Sequence, residues 1–191
     1  MMEKKGSDTK SGGKRFARGR GKETLFRVTA RNQIELVAIA DNKSNIIIGI
    51  NVVLITVIMA VSGSDLMIGE QHVLQKPEFS IPFSILLVCA LTSAVYAILA
   101  ARPKIIRAAQ QTNRSKLFFE NFYEESLDEY TQDMHDILES PEKPYDQMII
   151  DMYNVGLVLQ RKYSLISKAY NVLMIGLILS VLCFLLLAII L

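Results

Sequence analysis

Arg114, Lys116, Phe118 and Phe119 fall within one six-residue stretch, with Phe122 and Tyr123 close behind. Aromatic rings beside cations can stack a base and hold a phosphate. Packing is the commoner use of such rings, because helices outside a membrane need an apolar core. Nine carboxylates then recur from Glu120 to Glu142. Paired carboxylates can do acid–base work. Here they recur around a helix surface without a glycine-rich loop or a histidine constellation, which is the pattern of a solvated face. His72 and His135 fall in segments that the charge pattern below places on opposite sides of the membrane, and no HExxH or CxxC spacing occurs, so no metal is expected. Cys89 and Cys183 lie in uncharged runs and read as small packing residues rather than a disulfide. The fragment GRGK at 19–22 lacks the GxxxxGK[ST] spacing of a phosphate loop.

The elements that must carry these residues follow from where charge is missing. The 191-residue chain has no charged residue in 44–64, 79–101 or 169–191. Each run is long enough for a helix to cross about 30 Å of hydrocarbon. These runs take about a third of the chain, and what remains is thin for a catalytic domain. A soluble enzyme, a secreted disulfide scaffold and a multidomain protein are all disfavoured. The first uncharged run starts too late to be the core of a signal peptide.

Asn51 falls near the middle of the first run. An amide at that depth usually faces another helix, a pore or water. Asp41, Ser44, Ile48, Asn51 and Ile55 share about a third of the helix circumference. The stripe therefore reads either as helix glue, with Asp41 and Lys43 marking the membrane surface, or as the lining of a conducting path.

Basic residues set the orientation. Residues 1–43 hold 11 Lys and Arg, and the 65–78 loop holds only Lys76. Residues 102–168 hold nine, six of them beside the spans: Arg102, Lys104, Arg107, Arg161, Lys162 and Lys168. The positive-inside rule places the N-terminus and 102–168 in the cytoplasm, with the His72 loop and Leu191 outside. A basic patch beside a span is better explained by this topology and by anionic lipid than by nucleic acid.

Composition predicts a disordered basic tail over 1–22. One helix is expected from about Thr24 to Ser62, with Leu25, Val28, Ile34, Val37 and Ala38 sharing a face. Pro103 should bend or end the second span helix. Ser126 to Glu129 reads as a capping box that starts a helix over 127–139, with Leu127, Tyr130, Met134, Ile137 and Leu138 on one side. Ser140-Pro141-Glu142-Lys143-Pro144 breaks it. Tyr145, Ile149, Met152, Gly156, Leu159, Tyr163, Ile166, Tyr170, Leu173 and Leu177 then alternate steps of four and three, a heptad seam that calls for a partner helix. One helix is expected from Tyr145 to Leu191, roughly 70 Å long. No useful strand pattern and no internal repeat occurs.

The expected fold is therefore an all-α integral membrane protein with three transmembrane helices (about 44–64, 79–101 and 169–191) and a cytoplasmic helical hairpin or coiled-coil extension. Its segments are the 1–22 tail, 23–101 with the first two spans, the 102–168 cytoplasmic segment, and the 169–191 span.

Five features in order resemble the transmembrane effectors of Pycsar-type bacterial antiphage systems. They are Ala40-Asp41-Asn42-Lys43-Ser44 leading into a span with Asn51; a second span closing on Ala101-Arg102-Pro103; Leu117-Phe118-Phe119; Ser126-Leu127-Asp128-Glu129-Tyr130; and Asp151-Met152-Tyr153-Asn154-Val155-Gly156 followed by Arg161-Lys162-Tyr163 and the last span. The resemblance covers roughly residues 28–191. It implies an inner-membrane protein that acts with a nucleotide cyclase and, on phage infection, answers a cyclic pyrimidine nucleotide by compromising the membrane, so that the cell stops growing or dies. Some members carry a further cytoplasmic domain, for which this chain has no room.

Arg114, Lys116, Phe118, Phe119, Arg161 and Lys162 are the candidate nucleotide contacts. Asp41, Lys43, Ser44 and Asn51 are the candidates for the membrane interface and helix packing. Cyclic CMP or cyclic UMP is the expected activating ligand. No cofactor, catalytic residue or nucleic-acid partner is expected. The lipid bilayer, a homo-oligomer and a cyclase acting as functional partner are. A non-enzymatic anchor that recruits a cytoplasmic partner is the alternative function. An intramembrane enzyme is disfavoured, because no span holds a nucleophile–base pair or metal ligands.

Overall fold

The structure, a computed structural model, describes residues 8–64, 67–68, 71–72, 75–102, 115–117 and 125–190. It is all-α: α1 Asp8–Ser62, α2 Pro77–Ala101, α3 Leu127–Leu138 and α4 Lys143–Ile190. The strands β1 Met67–Ile68 and β2 Gln71–His72 pair antiparallel between α1 and α2, with Met67 opposite His72. α1, α2 and α4 each contain a stretch long and apolar enough to cross a membrane.

Local chemistry fixes the helix ends. α2 starts with Pro77 in its first turn, where the missing N–H costs nothing. It stops at Arg102, which is extended at ψ 126°. The next residue in sequence is Pro103, and proline drives its predecessor out of the helical region. At α3 the capping box forms in full: the Glu129 N–H donates to Ser126 Oγ at 3.3 Å, and the Ser126 N–H donates to Glu129 Oε2 at 3.0 Å. These bonds to Ser126 hold the Glu129 carboxyl below its usual range. Both ends of α4 fall near expectation, though it begins at Lys143, because proline is tolerated in a first turn.

α1 begins at Asp8, so residues 8–22 are helical where composition predicts disorder. Extending an existing helix needs no new nucleus, and no proline interrupts this stretch.

The chain divides into two compact units, Met1–Leu36 with Ile105–Leu157, and Val37–Lys104 with Val158–Leu191. In the first unit α1 and α4 run parallel. The Phe26 and Tyr145 rings meet at 5.5 Å between centroids, and Gln33 Nε2 donates to the Met152 carbonyl at 2.9 Å. The packed face of α1 is thus Phe26, Ala30 and Gln33. Leu25, Val28, Ile34 and Ala38, expected on the packed face, are exposed, and of that set only Val37 is partly covered. On α3, Tyr130, Met134 and Ile137 are covered while Leu127 and Leu138 are exposed.

In the second unit Ala40, Ile47, Ala97, Ala100, Ile166 and Ala169 form the buried core. The heptad on α4 is displaced by one residue at three positions. Tyr145, Met152, Gly156, Leu159, Tyr163, Ile166 and Leu173 are covered as expected. Ile149, Tyr170 and Leu177 are exposed, and Met148, Ala169 and Gly176 are covered in their place. The expected seam follows large apolar residues, whereas close helix approach within a membrane selects small ones.

Candidate functional site

Within the second unit, one side chain on each of two helices builds a polar chain to a third. Asn51 on α1 is fully buried, and its Nδ2 donates to Ser93 Oγ on α2 at 3.0 Å. Ser93, also fully buried, donates to the Ala169 carbonyl on α4 at 2.9 Å. One amide and one hydroxyl thereby join all three span helices. The other half of the amide is unmatched: Asn51 Oδ1 is buried with no hydrogen-bond partner. Such an acceptor has lost its water without regaining a donor, at a cost of about 1–3 kcal/mol. The same packing therefore contains a bond that holds it and an atom that opposes it.

Further along, Ser180 Oγ on α4 donates to the Pro82 carbonyl on α2 at 3.0 Å. Between these two bonds the helices nearly touch: a Cβ added at Gly176 would lie 2.3 Å from Cys89 Cβ. Ser44, fully buried, donates to the Ala40 carbonyl one turn back at 3.0 Å. Near the uncharged boundary Lys162 Nζ pairs with Asp41, and Lys43 Nζ sits over the Tyr163 ring at 5.7 Å. Arg161 is exposed and makes no ion pair among the described residues. Ser93, Ser180 and Gly176 are absent from the sequence-based candidates, although small and hydroxyl residues in a span are the usual signal of helix contact.

In the first unit Lys116 Nζ bridges Glu125 at 2.5 Å and Asp133 at 2.6 Å. Hydrogen bonds to Asp133 first, and then to Glu125, raise its pKa above the ordinary lysine value. This stabilisation is complete at neutral pH and would be lost only as pH rises through the raised value. The Lys116 N–H donates to Gln147 Oε1 at 3.0 Å. A cleft of about 320 Å³ lies here, lined by Lys116, Glu125, Glu129, Gln132, Asp133 and Asp136. Four carboxylates against one engaged lysine make it a poor receptor for a phosphate. Arg114, Phe118 and Phe119 lie outside the described residues. Among the described residues no cluster of His, Cys, Asp or Glu could hold a metal.

Asp151, half-buried on α4, has its carboxyl pushed above the usual range by desolvation. Its charged form therefore opposes the fold. That cost is absent below the usual carboxylate range and complete above the raised value. Asp151→Asn should raise the thermal midpoint at pH 7, and the gain should close as pH falls through about 4. Melting wild type and variant across that range checks it, and equal midpoints at pH 7 would refute it.

No curated protein and no solved structure matches the chain. The family model described as the Pycsar effector protein domain matches residues 24–190, which takes in the described parts of both units from Thr24 onward. With three helices able to span a membrane and this match over most of its length, the chain belongs to the Pycsar effector family, the membrane effectors of cyclic-nucleotide antiphage defence that work with a nucleotide cyclase.

Proposed function

We propose that the protein sits in the bacterial inner membrane with its N-terminus in the cytoplasm, and that cyclic CMP or cyclic UMP made by its cyclase causes it to breach that membrane. The infected cell then stops growing. The chain performs no catalysis in this reading. Spans from more than one copy loosen and repack into a leak.

The observation that carries the reading is the half-satisfied Asn51 amide at the junction of three span helices. Water entering an opened bundle would supply the donor that Oδ1 lacks, so opening recovers free energy that close packing withholds. The excess of Lys and Arg in 1–43 and 102–168 over the 65–78 loop supports the orientation. Lys116 and Lys162 already hold carboxylates, so among the described candidate cations exposed Arg161 is the one placed to meet the nucleotide phosphate.

Cells producing the full chain should lose membrane potential and admit an impermeant dye when cyclic CMP or cyclic UMP accumulates, and should keep both barriers without it. Intact potential and dye exclusion with both nucleotides would sink the reading and favour an anchor that recruits a cytoplasmic partner.

A further inference from the structure

Two rows of exposed side chains in the first unit fit each other. On α1, Val28, Asn32 and Leu36 are exposed at steps of four. On α4, Ile149, Tyr153 and Leu157 are exposed at the same steps. Val28 is 51% exposed, Ile149 54% and Tyr153 66%. Rows at i, i+4 are the ridges by which helices interlock. None of these residues lies in an uncharged run, so lipid does not account for the exposure.

The direction of the rows follows from helix geometry. At 3.6 residues per turn, the α1 row lies about 110° from the Phe26–Gln33 line that faces α4, and the α4 row lies about 90° in the opposite sense from its Tyr145–Met152 line. Because the two helices run parallel here, these opposite rotations open both rows on the same side of the pair. A two-fold axis along the helices would set that side against itself. It would place the α1 row of one copy on the α4 row of its partner, and the reverse.

The heights agree as well. Inside the unit, α1 faces α4 with an offset of 119 residues, as Gln33 to Met152 does. Val28 with Ile149, Asn32 with Tyr153, and Leu36 with Leu157 are each 121 apart, a difference of two residues, or about 3 Å of rise. At matched height, then, aliphatic meets aliphatic and the Asn32 amide meets the Tyr153 phenol. A single polar position in an apolar seam is a common device for fixing register and copy number.

We propose that a second copy of this chain covers this face, forming a parallel two-fold dimer in which α1 of each protomer packs on α4 of the other. The dimer rests on the reading above only in taking both helices to enter the bilayer from one side, which places a two-fold axis along the membrane normal.

The test uses full-length chains in phospholipid vesicles. A tagged Val28→Cys copy is mixed with an untagged Ile149→Cys copy and oxidised; Asn32→Cys with Tyr153→Cys provides a second pair. Each mixture should give a covalent heterodimer at least tenfold above either variant mixed with wild type. A chain carrying both V28C and I149C should stop at the dimer. Absence of the heterodimer in both mixtures would overturn the proposal, as would a ladder of larger species or equal cross-linking by Val28→Cys alone. Membrane potential is read separately in cells. A cross-linked dimer without depolarisation refutes the leak and keeps the dimer, and depolarisation without the dimer does the opposite.

Discussion

Gly176→Ala should lower the thermal midpoint of the purified protein in detergent more than any other single-methyl change in the spans. The added Cβ would fall 2.3 Å from Cys89 Cβ, 2.9 Å from its Sγ and 3.8 Å from its Cα. Carbon atoms rest at about 3.5–4.0 Å, so α2 and α4 would have to separate by more than an ångström. No flexible side-chain end can yield, because Cys89 Cβ is fixed to its backbone. Overpacking of this kind costs about 1–3 kcal/mol. Separation would also stretch the Ser93–Ala169 and Ser180–Pro82 bonds that flank the contact. Two controls make the prediction specific. Gly156 has nothing within 4 Å of an added Cβ, so Gly156→Ala should be neutral or stabilising, since alanine is the better helix former by about 1 kcal/mol. Adding Cys89→Gly should rescue Gly176→Ala, while Cys89→Ala should not, because alanine keeps the clashing Cβ. An unchanged midpoint for Gly176→Ala would disprove close packing at this crossing.

What could be read from the sequence was set by features that act alone. A run without charge announces a span whatever it packs against, so three spans were legible. The Ser126–Glu129 box and the proline after Arg102 are local devices that work within four residues, and both ends form where they were expected. Contacts between helices were harder. Asn51 was conspicuous because an amide is costly at that depth, yet nothing in its own segment identified Ser93 as its partner. Ser93 sits among Cys89, Ala90, Thr92 and Ala94, where one hydroxyl hardly stands out. The α4 seam shows the same limit: an apolar pattern ranks Tyr170 and Leu177 above Ala169 and Gly176, but close crossing reverses that ranking. Lys116 looked like a phosphate contact within its own stretch. Its two carboxylate partners lie 9 and 17 positions away, and only the fold brings them to it.

The Asn51 amide yields two substitutions of opposite sign at adjacent ends of one hydrogen bond. Ser93→Ala removes the acceptor of Asn51 Nδ2 and leaves the whole amide buried and unpaired. That should weaken the closed packing by about 1–3 kcal/mol, a shift of roughly 5- to 150-fold in the open population. Cells carrying it should depolarise at lower nucleotide levels, or with none. Asn51→Leu keeps the branch at Cγ but removes both polar atoms. It loses one interhelical bond, worth on average about 0.6 kcal/mol in membrane proteins, and it also removes the larger penalty of the orphaned Oδ1. The closed bundle should therefore become more stable, and more nucleotide should be needed for the same loss of potential. The double variant discriminates further. Once Asn51 is leucine there is no buried amide for Ser93 to satisfy, so adding Ser93→Ala should cost only the Ser93–Ala169 bond and shift the response less than it does alone. Dose–response curves of membrane potential for the four proteins measure all of this. If Ser93→Ala silences the effector as Asn51→Leu does, or if the two substitutions add independently, the polar chain is not what holds the bundle closed.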